Sequence, residues 1–234
     1  MLDSAAPGAD SRDMRRAASL VVLLCLTALA AGCARPLSQN EEAFASALFG
    51  PSLDTSRVRI AQGIGLTPAP GPPRAGYRFT RRTPPPDVCD RDVPSPRTGP
   101  PAAFVFFERL NYHPDYYAGD SMAGWPEKLR VPHVILLAHE LTHVWQWQNR
   151  ERTGYHPRKA LAEGIYSYDP YFYRLDDDRP FLDYGFEEQG ALVQDYVCYR
   201  LINPRDERYF KLRALLAPVF PLDAFDAALE NGRP

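Results

Sequence analysis

The chain lacks an excess of either charge: 27 Lys and Arg stand against 29 Asp and Glu, a formal net charge of -2. A nucleic-acid-binding domain carries a basic excess, so that class is excluded and no nucleic-acid partner is expected. Long hydrophobic runs are also missing. The one extended apolar stretch, Ala17 to Ala31, is interrupted by Ser19 and Thr27 and is too short for a transmembrane helix. Internal repeats are absent, which excludes a solenoid or an array. Cysteine is scarce, with four in 234 residues. What is present is 45% hydrophobic sequence, enough for one globular domain with its own core.

Arg15 and Arg16 precede the apolar stretch, which ends Leu29-Ala30-Ala31-Gly32-Cys33. A charged start, an apolar centre and small residues before Cys read as a bacterial lipoprotein signal over 1–32, with Cys33 as the acylated residue. Met14 opens a more typical signal than Met1 does. Ala34 permits onward sorting, so the expected location is the cell envelope, lipid-anchored at the outer membrane and facing the periplasm. Cys25 leaves with the signal. Cys89 and Cys198 then remain in a compartment that permits a disulfide between them, with two buried thiols as the alternative.

Residues 33–40 read as a polar tether, followed by a single domain over 41–234. Ser38 or Asn40 suits the cap of a helix through Leu48 that Gly50 and Pro51 stop. Arg57 to Ile60 alternates as a strand does. Residues 66–101 hold 11 of the 24 prolines, a density that no regular element survives, and read as a covering loop pinned by Cys89. Ala102 to Phe107 suggests a buried strand, and Asn111 to Asp120 a polar turn. Pro132 sits where a first helical residue should, and His133 to about Arg150 reads as a long helix. Gly154 to Asp183 looks like a Tyr-rich loop. Further helices are expected over Glu187–Leu201, from an Asn203-Pro204 start to Leu216, and over Leu222–Leu229. The fold class is therefore α+β, with a small sheet early and helices late.

The chemistry concentrates at His139-Glu140-Leu141-Thr142-His143. Two His four residues apart share one face of a helix, so both imidazoles can reach one zinc ion and leave room for a third ligand and a water. Glu140 sits one step round the helix, where it reaches that water rather than the metal and can serve as general base. The opposite face, with Val134, Leu137, Leu141, Val144 and Trp145, is apolar and should bury the helix. His156 does not continue a three-His motif, because it belongs to Gly154-Tyr155-His156-Pro157. The third ligand is expected from Glu187 or Glu188, which open the next helix. Gly190 and Ala191 are small enough there for two helices to approach closely. Asp195 shares a face with either Glu and could hold one imidazole by its other nitrogen.

The stretch His139 to Gln146, followed by Glu187 to Tyr196, resembles gluzincin-type zinc metallopeptidase domains of bacterial secretion-system and toxin-associated proteins. Leu53 to Ile60 is similar to their early strand. The resemblance implies a zincin-like fold, Zn2+ as cofactor, Glu187 as third ligand with Glu188 the alternate, and a peptide or protein substrate. It also allows an envelope or secretion-complex partner. Phe104 to Phe107 suits the edge along which a peptide lies. Tyr166, Tyr168, Tyr184, Tyr196 and His156 are candidate donors to a carbonyl oxygen. The leading expectation is a zinc peptidase. The alternative is a non-catalytic zinc-binding interaction or assembly module, against which the intact Glu140 speaks.

If Cys33 carries the lipid, Cys33→Ser should release the protein from membranes on fractionation. Retention of the variant with its apolar stretch uncleaved would mean an N-terminal anchor instead.

Overall fold

A computed structural model describes residues 34–63, 89–95, 101–175 and 178–232. The signal segment, Cys33 and most of the Pro-rich stretch lie outside the described residues. From Arg35 onward the chain forms one compact unit. Its described residues hold a four-stranded sheet and seven α-helices, a mixed α+β architecture. No helix among them is long and apolar enough to cross a membrane.

The strands are β1 (Ala34–Pro36), β2 (Arg59–Gln62), β3 (Ala103–Phe106) and β4 (Arg109–Tyr112), in the order β1-β2-β4-β3. β2 runs parallel to β4, and β3 pairs antiparallel with β4 through a tight turn at Phe107-Glu108. Phe107 takes a φ of 58°, uncommon for a bulky residue. Its ring lies 4.5 Å from that of Trp147, which docks the hairpin on the helix bearing the histidines.

The expected tether is part of the fold. Ala34–Pro36 is a strand, and Ser38 caps α1 (Gln39–Phe49) through a capping box with Glu41. The Glu41 carboxylate is fully buried. Arg35 grips it at 2.7 and 2.9 Å, and Ser121 donates from both Oγ and backbone N. Burial would raise its pKa, but these donors hold it below the usual carboxylate value.

α2 (Val131–Gln148) and α5 (Phe186–Ile202) form the centre and pack most extensively against each other. Val134, Leu137, Leu141, Val144 and Trp145 are all fully buried, as the apolar face requires. Each contributes about 1.5–3 kcal/mol by leaving water. Phe220 anchors the far side, with ring centroids 4.9 Å from Trp145 and 5.3 Å from Phe49. α6 (Glu207–Leu216) starts from Asp206 rather than Asn203, and α7 (Leu222–Asn231) closes the unit near its expected place.

Four expectations change. The strand signal at Arg57 falls two residues later, because Thr55–Arg57 is a turn of 3-10 helix capped by Asp54. The Phe104 stretch is an edge strand, not a buried one, and leaves Phe104 41% and Phe106 55% exposed. Asn111 and Tyr112 belong to β4 and are buried. The Gly154–Asp183 region contains a helix, α4 (Pro157–Tyr166), after the short α3 (Arg150–Thr153). α4 buries only Ala160 and leaves Leu161 and Ile165 exposed, so its apolar residues do not mark a core face.

Cys89 and Cys198 form a disulfide across a sequence separation of 109 residues. Removing a cross-link over so long a loop should lower unfolding free energy by about 2–4 kcal/mol. Denaturant unfolding of the Cys89→Ser/Cys198→Ser protein measures this; an unchanged midpoint would refute it.

Candidate metal centre

α2 carries His139 and His143 one turn apart on its side toward α5, and the first turn of α5 carries Glu187. Their Nε2 atoms stand 3.1 Å apart, and Glu187 Oε2 is 3.3 Å from each. In a tetrahedral site with bonds of about 2.0–2.2 Å, neighbouring ligand atoms lie roughly 3.3–3.5 Å apart. The three donor atoms therefore already span an ion-sized gap, and one cation could meet all three.

The close approach of the helices depends on Gly190. A Cβ there would stand 2.6 Å from His139 Cε1, so any side chain would displace the imidazole. The entry to α5 is held from two sides. Glu188 Oε2 accepts from the Gly185 backbone N–H at 2.8 Å. Glu163, from α4, accepts from Phe186 N–H at 2.7 Å and Glu187 N–H at 3.2 Å. Glu188 thus serves as a cap, which resolves the Glu187/Glu188 choice: Glu187 faces the imidazoles and Glu188 does not.

Two glutamines set the tautomer of His143. Gln146 Nε2 donates to the Phe186 carbonyl at 3.0 Å, and a carbonyl can only accept. The amide oxygen must then face His143 Nδ1, 2.9 Å away. So Nδ1 carries the proton and Nε2 offers its lone pair to the gap. Gln189 continues the chain, accepting from Gln146 and donating to the Tyr184 carbonyl. Sequence reasoning assigned neither glutamine a role. Their spacings, three residues from His143 and two from Glu187, carried that signal.

Asp195 does not hold an imidazole as expected. Its Oδ2 accepts from Arg91 Nε at 2.6 Å and from the Tyr173 hydroxyl at 2.8 Å. His139 Nδ1 has no partner among the described residues.

Burial dominates the electrostatics. It lowers the pKa of His139, partly offset by Glu187. At His143 burial also pulls downward, but Glu187 overcomes it and raises the group to about 9. Glu187 is held well below its ordinary value: burial opposes this, and His143 leads the groups that outweigh it. The buried carboxylate thus demands positive charge beside it, which a divalent cation can provide as well as a proton.

Glu140 is 4% exposed, and its Oε2 has no partner among the described residues. Burial pushes its carboxyl up to about 8. A buried carboxyl oxygen without a partner among the described residues costs stability, which makes its place beside two imidazoles a candidate functional site. Together with His139, Tyr171 and Gln194 it lines a cleft of about 240 Å³.

The expected carbonyl-oxygen donors are elsewhere. Tyr166 and Tyr168 are 85% and 68% exposed, and none of the candidates lines the cleft. Tyr184 donates to the Arg174 carbonyl and Tyr196 to Asp226, while His156 caps α4. Tyr171 lines the cleft instead, its ring 5.6 Å from that of His139.

Fold and site together define a mixed α+β protein with two buried histidines and a half-buried glutamate suited to one metal ion. No family model matches the chain. It is 28% identical over 170 residues to the type VI secretion system spike protein VgrG2b of Pseudomonas aeruginosa. That alignment takes in 69% of this chain but only 13% of the spike protein's length. Among solved structures, the effector domain of Pseudomonas aeruginosa VgrG2b is similar with a TM-score of 0.46 and 23% identity. That likeness covers 79% of this chain and 83% of the other.

The two neighbouring glutamates should separate by experiment. Glu187→Ala should abolish tight metal binding. Glu188→Ala should keep the metal and cost about 0.5–2 kcal/mol through the lost cap. Metal content after dialysis, with denaturant unfolding of both variants, checks this; the reverse pattern would sink the assignment.

Proposed function

We propose that this protein is a zinc-dependent peptidase of the gluzincin type, with a zincin-like domain over 41–234. One observation carries the reading. Glu187 Oε2 lies 3.3 Å from both Nε2 atoms, while the neighbouring Glu140 is buried and its Oε2 has no partner among the described residues. His139, His143 and Glu187 would hold the ion, and the donor set of two imidazoles and one carboxylate suits zinc. Bound zinc supplies Lewis acidity for water and for a substrate carbonyl.

The protein's own residues do the rest. Gln146 keeps the lone pair of His143 turned inward, and Glu163 holds the backbone of Glu187. Glu140, one residue along α2 from His139 and lining the same cleft, takes the proton of the attacking water and delivers it to the leaving amine. β3 lies at the sheet edge beside the cleft and offers unpaired backbone groups to an extended peptide.

The likeness to VgrG2b supports work as a secretion-associated effector, with a secretion complex as partner. The signal pattern and Cys33 support a lipid anchor at the cell envelope, facing the periplasm. A non-catalytic zinc module for assembly remains the second reading; the unpaired Glu140 weighs against it, since a structural site needs no base.

Glu140→Gln should lower peptide cleavage by roughly 10²–10⁴-fold while zinc content and thermal stability persist. His139→Ala should lose zinc and cleavage together. Zinc analysis with a peptide-library assay tests both, and equal cleavage by wild type and Glu140→Gln at equal zinc occupancy would reject the base assignment.

A further inference from the structure

The segment 89–95 is carried to the metal cleft by a covalent link and a buried ion pair. Cys89 is bonded to Cys198 on α5. Two residues on, Arg91 Nε donates to Asp195 Oδ2 on the same helix. The Arg91 side chain is 26% exposed and lines the same cleft as His139, Glu140, Tyr171 and Gln194. A guanidinium has five N–H donors, and Asp195 uses the one on Nε. Among the described residues no acceptor meets the η nitrogens, and neither is shut away from solvent.

A clamp for Asp195 alone would not need this arrangement. Tyr173 already donates to the same carboxylate oxygen, and a buried donor could close the pair without an open fork. The planar pair of η nitrogens matches a carboxylate by two parallel hydrogen bonds. The cleft, at about 240 Å³, has room for one side chain or one chain end rather than a large ligand.

We propose that Arg91 is a specificity-determining residue that receives a substrate carboxylate in the metal cleft, from an acidic side chain or from a free C-terminus. The inference rests on the peptidase reading of the same site. Asp195 and Tyr173 orient the guanidinium from behind, and the disulfide holds the strap that carries it. Substrates with a carboxylate near the cleaved bond are then favoured over their amides.

Matched pools of short fluorescent peptides test this. They carry Glu or Gln at one position and end in a free carboxylate or an amide, the rest being neutral and varied. Binding to the zinc-loaded Glu140→Gln protein is read by anisotropy, and cleavage by wild type as kcat/KM. A charge-assisted pair in a half-open cleft should favour carboxylate pools by about tenfold, and the arm that responds identifies the source. In Arg91→Gln the preference should fall to about one with zinc content retained; Arg91→Lys should keep part of it. Should Arg91→Gln fail to fold, Arg91→Lys decides, since a preference as strong there as in wild type overturns the proposal. Equal or undetectable binding of all four pools, or a preference that survives Arg91→Gln, overturns the proposal. Cleavage without carboxylate preference overturns Arg91 alone. Carboxylate-selective binding with no cleavage of any pool sinks the peptidase reading and leaves the Arg91 site standing.

Discussion

Gly190 of α5 lies against the imidazole of His139 on α2, where a Cβ would stand 2.6 Å from Cε1. The missing side chain lets two helices approach until a carboxylate on one meets two imidazoles on the other. The buried faces make that approach favourable: the apolar side of α2 is wholly out of water, and Leu192, Val193 and Tyr196 of α5 are equally buried. Packing thus supplies the energy and Gly190 the clearance. The 3.1 and 3.3 Å spacings of the donor atoms follow from both.

Around this contact the polar groups are arranged in layers with different tasks. Gln146 and Gln189 link His143 to a backbone carbonyl at the entry of α5, so one network orients a ligand and joins the helices. Glu163 and Glu188 satisfy the free N–H groups of that helix start, where negative charge is favoured. Further along α5, Asp195 and Cys198 take hold of the 89–95 segment. The same helix therefore supplies a metal-facing carboxylate, a ladder of amides and the anchor for a strap along the cleft. Glu140 stands apart from these pairings. Tyr112, at the end of β4, likewise buries a hydroxyl that has no partner among the described residues, and burial, then the charge of Glu140, raises its pKa.

Local patterns were legible where one residue type answers one local demand. Ser38 with Glu41 announces a helix start, Pro132 another, and the 3.6-residue apolar pattern on α2 its buried face. The two His at a spacing of four needed only helical geometry. α4 was illegible because its outer side exposes Leu161 and Ile165 while just Ala160 is buried, so hydrophobic pattern and burial disagree. The phenylalanines of β3 misled only as to burial: the strand lies at the sheet edge, where a substrate strand was expected to lie, and that position leaves them in solvent.

The sequence by itself determined the helix pair, the motif on it, the acidic start of α5 and the two cysteines left to pair. Each follows from spacing along one chain segment, which backbone geometry converts directly into a face or a terminus. Only the tertiary structure decided between Glu187 and Glu188, since adjacent residues on a helix differ by about 100° in direction and the partner's position alone selects one. It also gave Asp195 to Arg91 rather than to a histidine, and placed at the cleft Tyr171, which was not among the candidate tyrosines. Those choices depend on contacts between segments far apart in sequence, through loops whose course no local periodicity encodes.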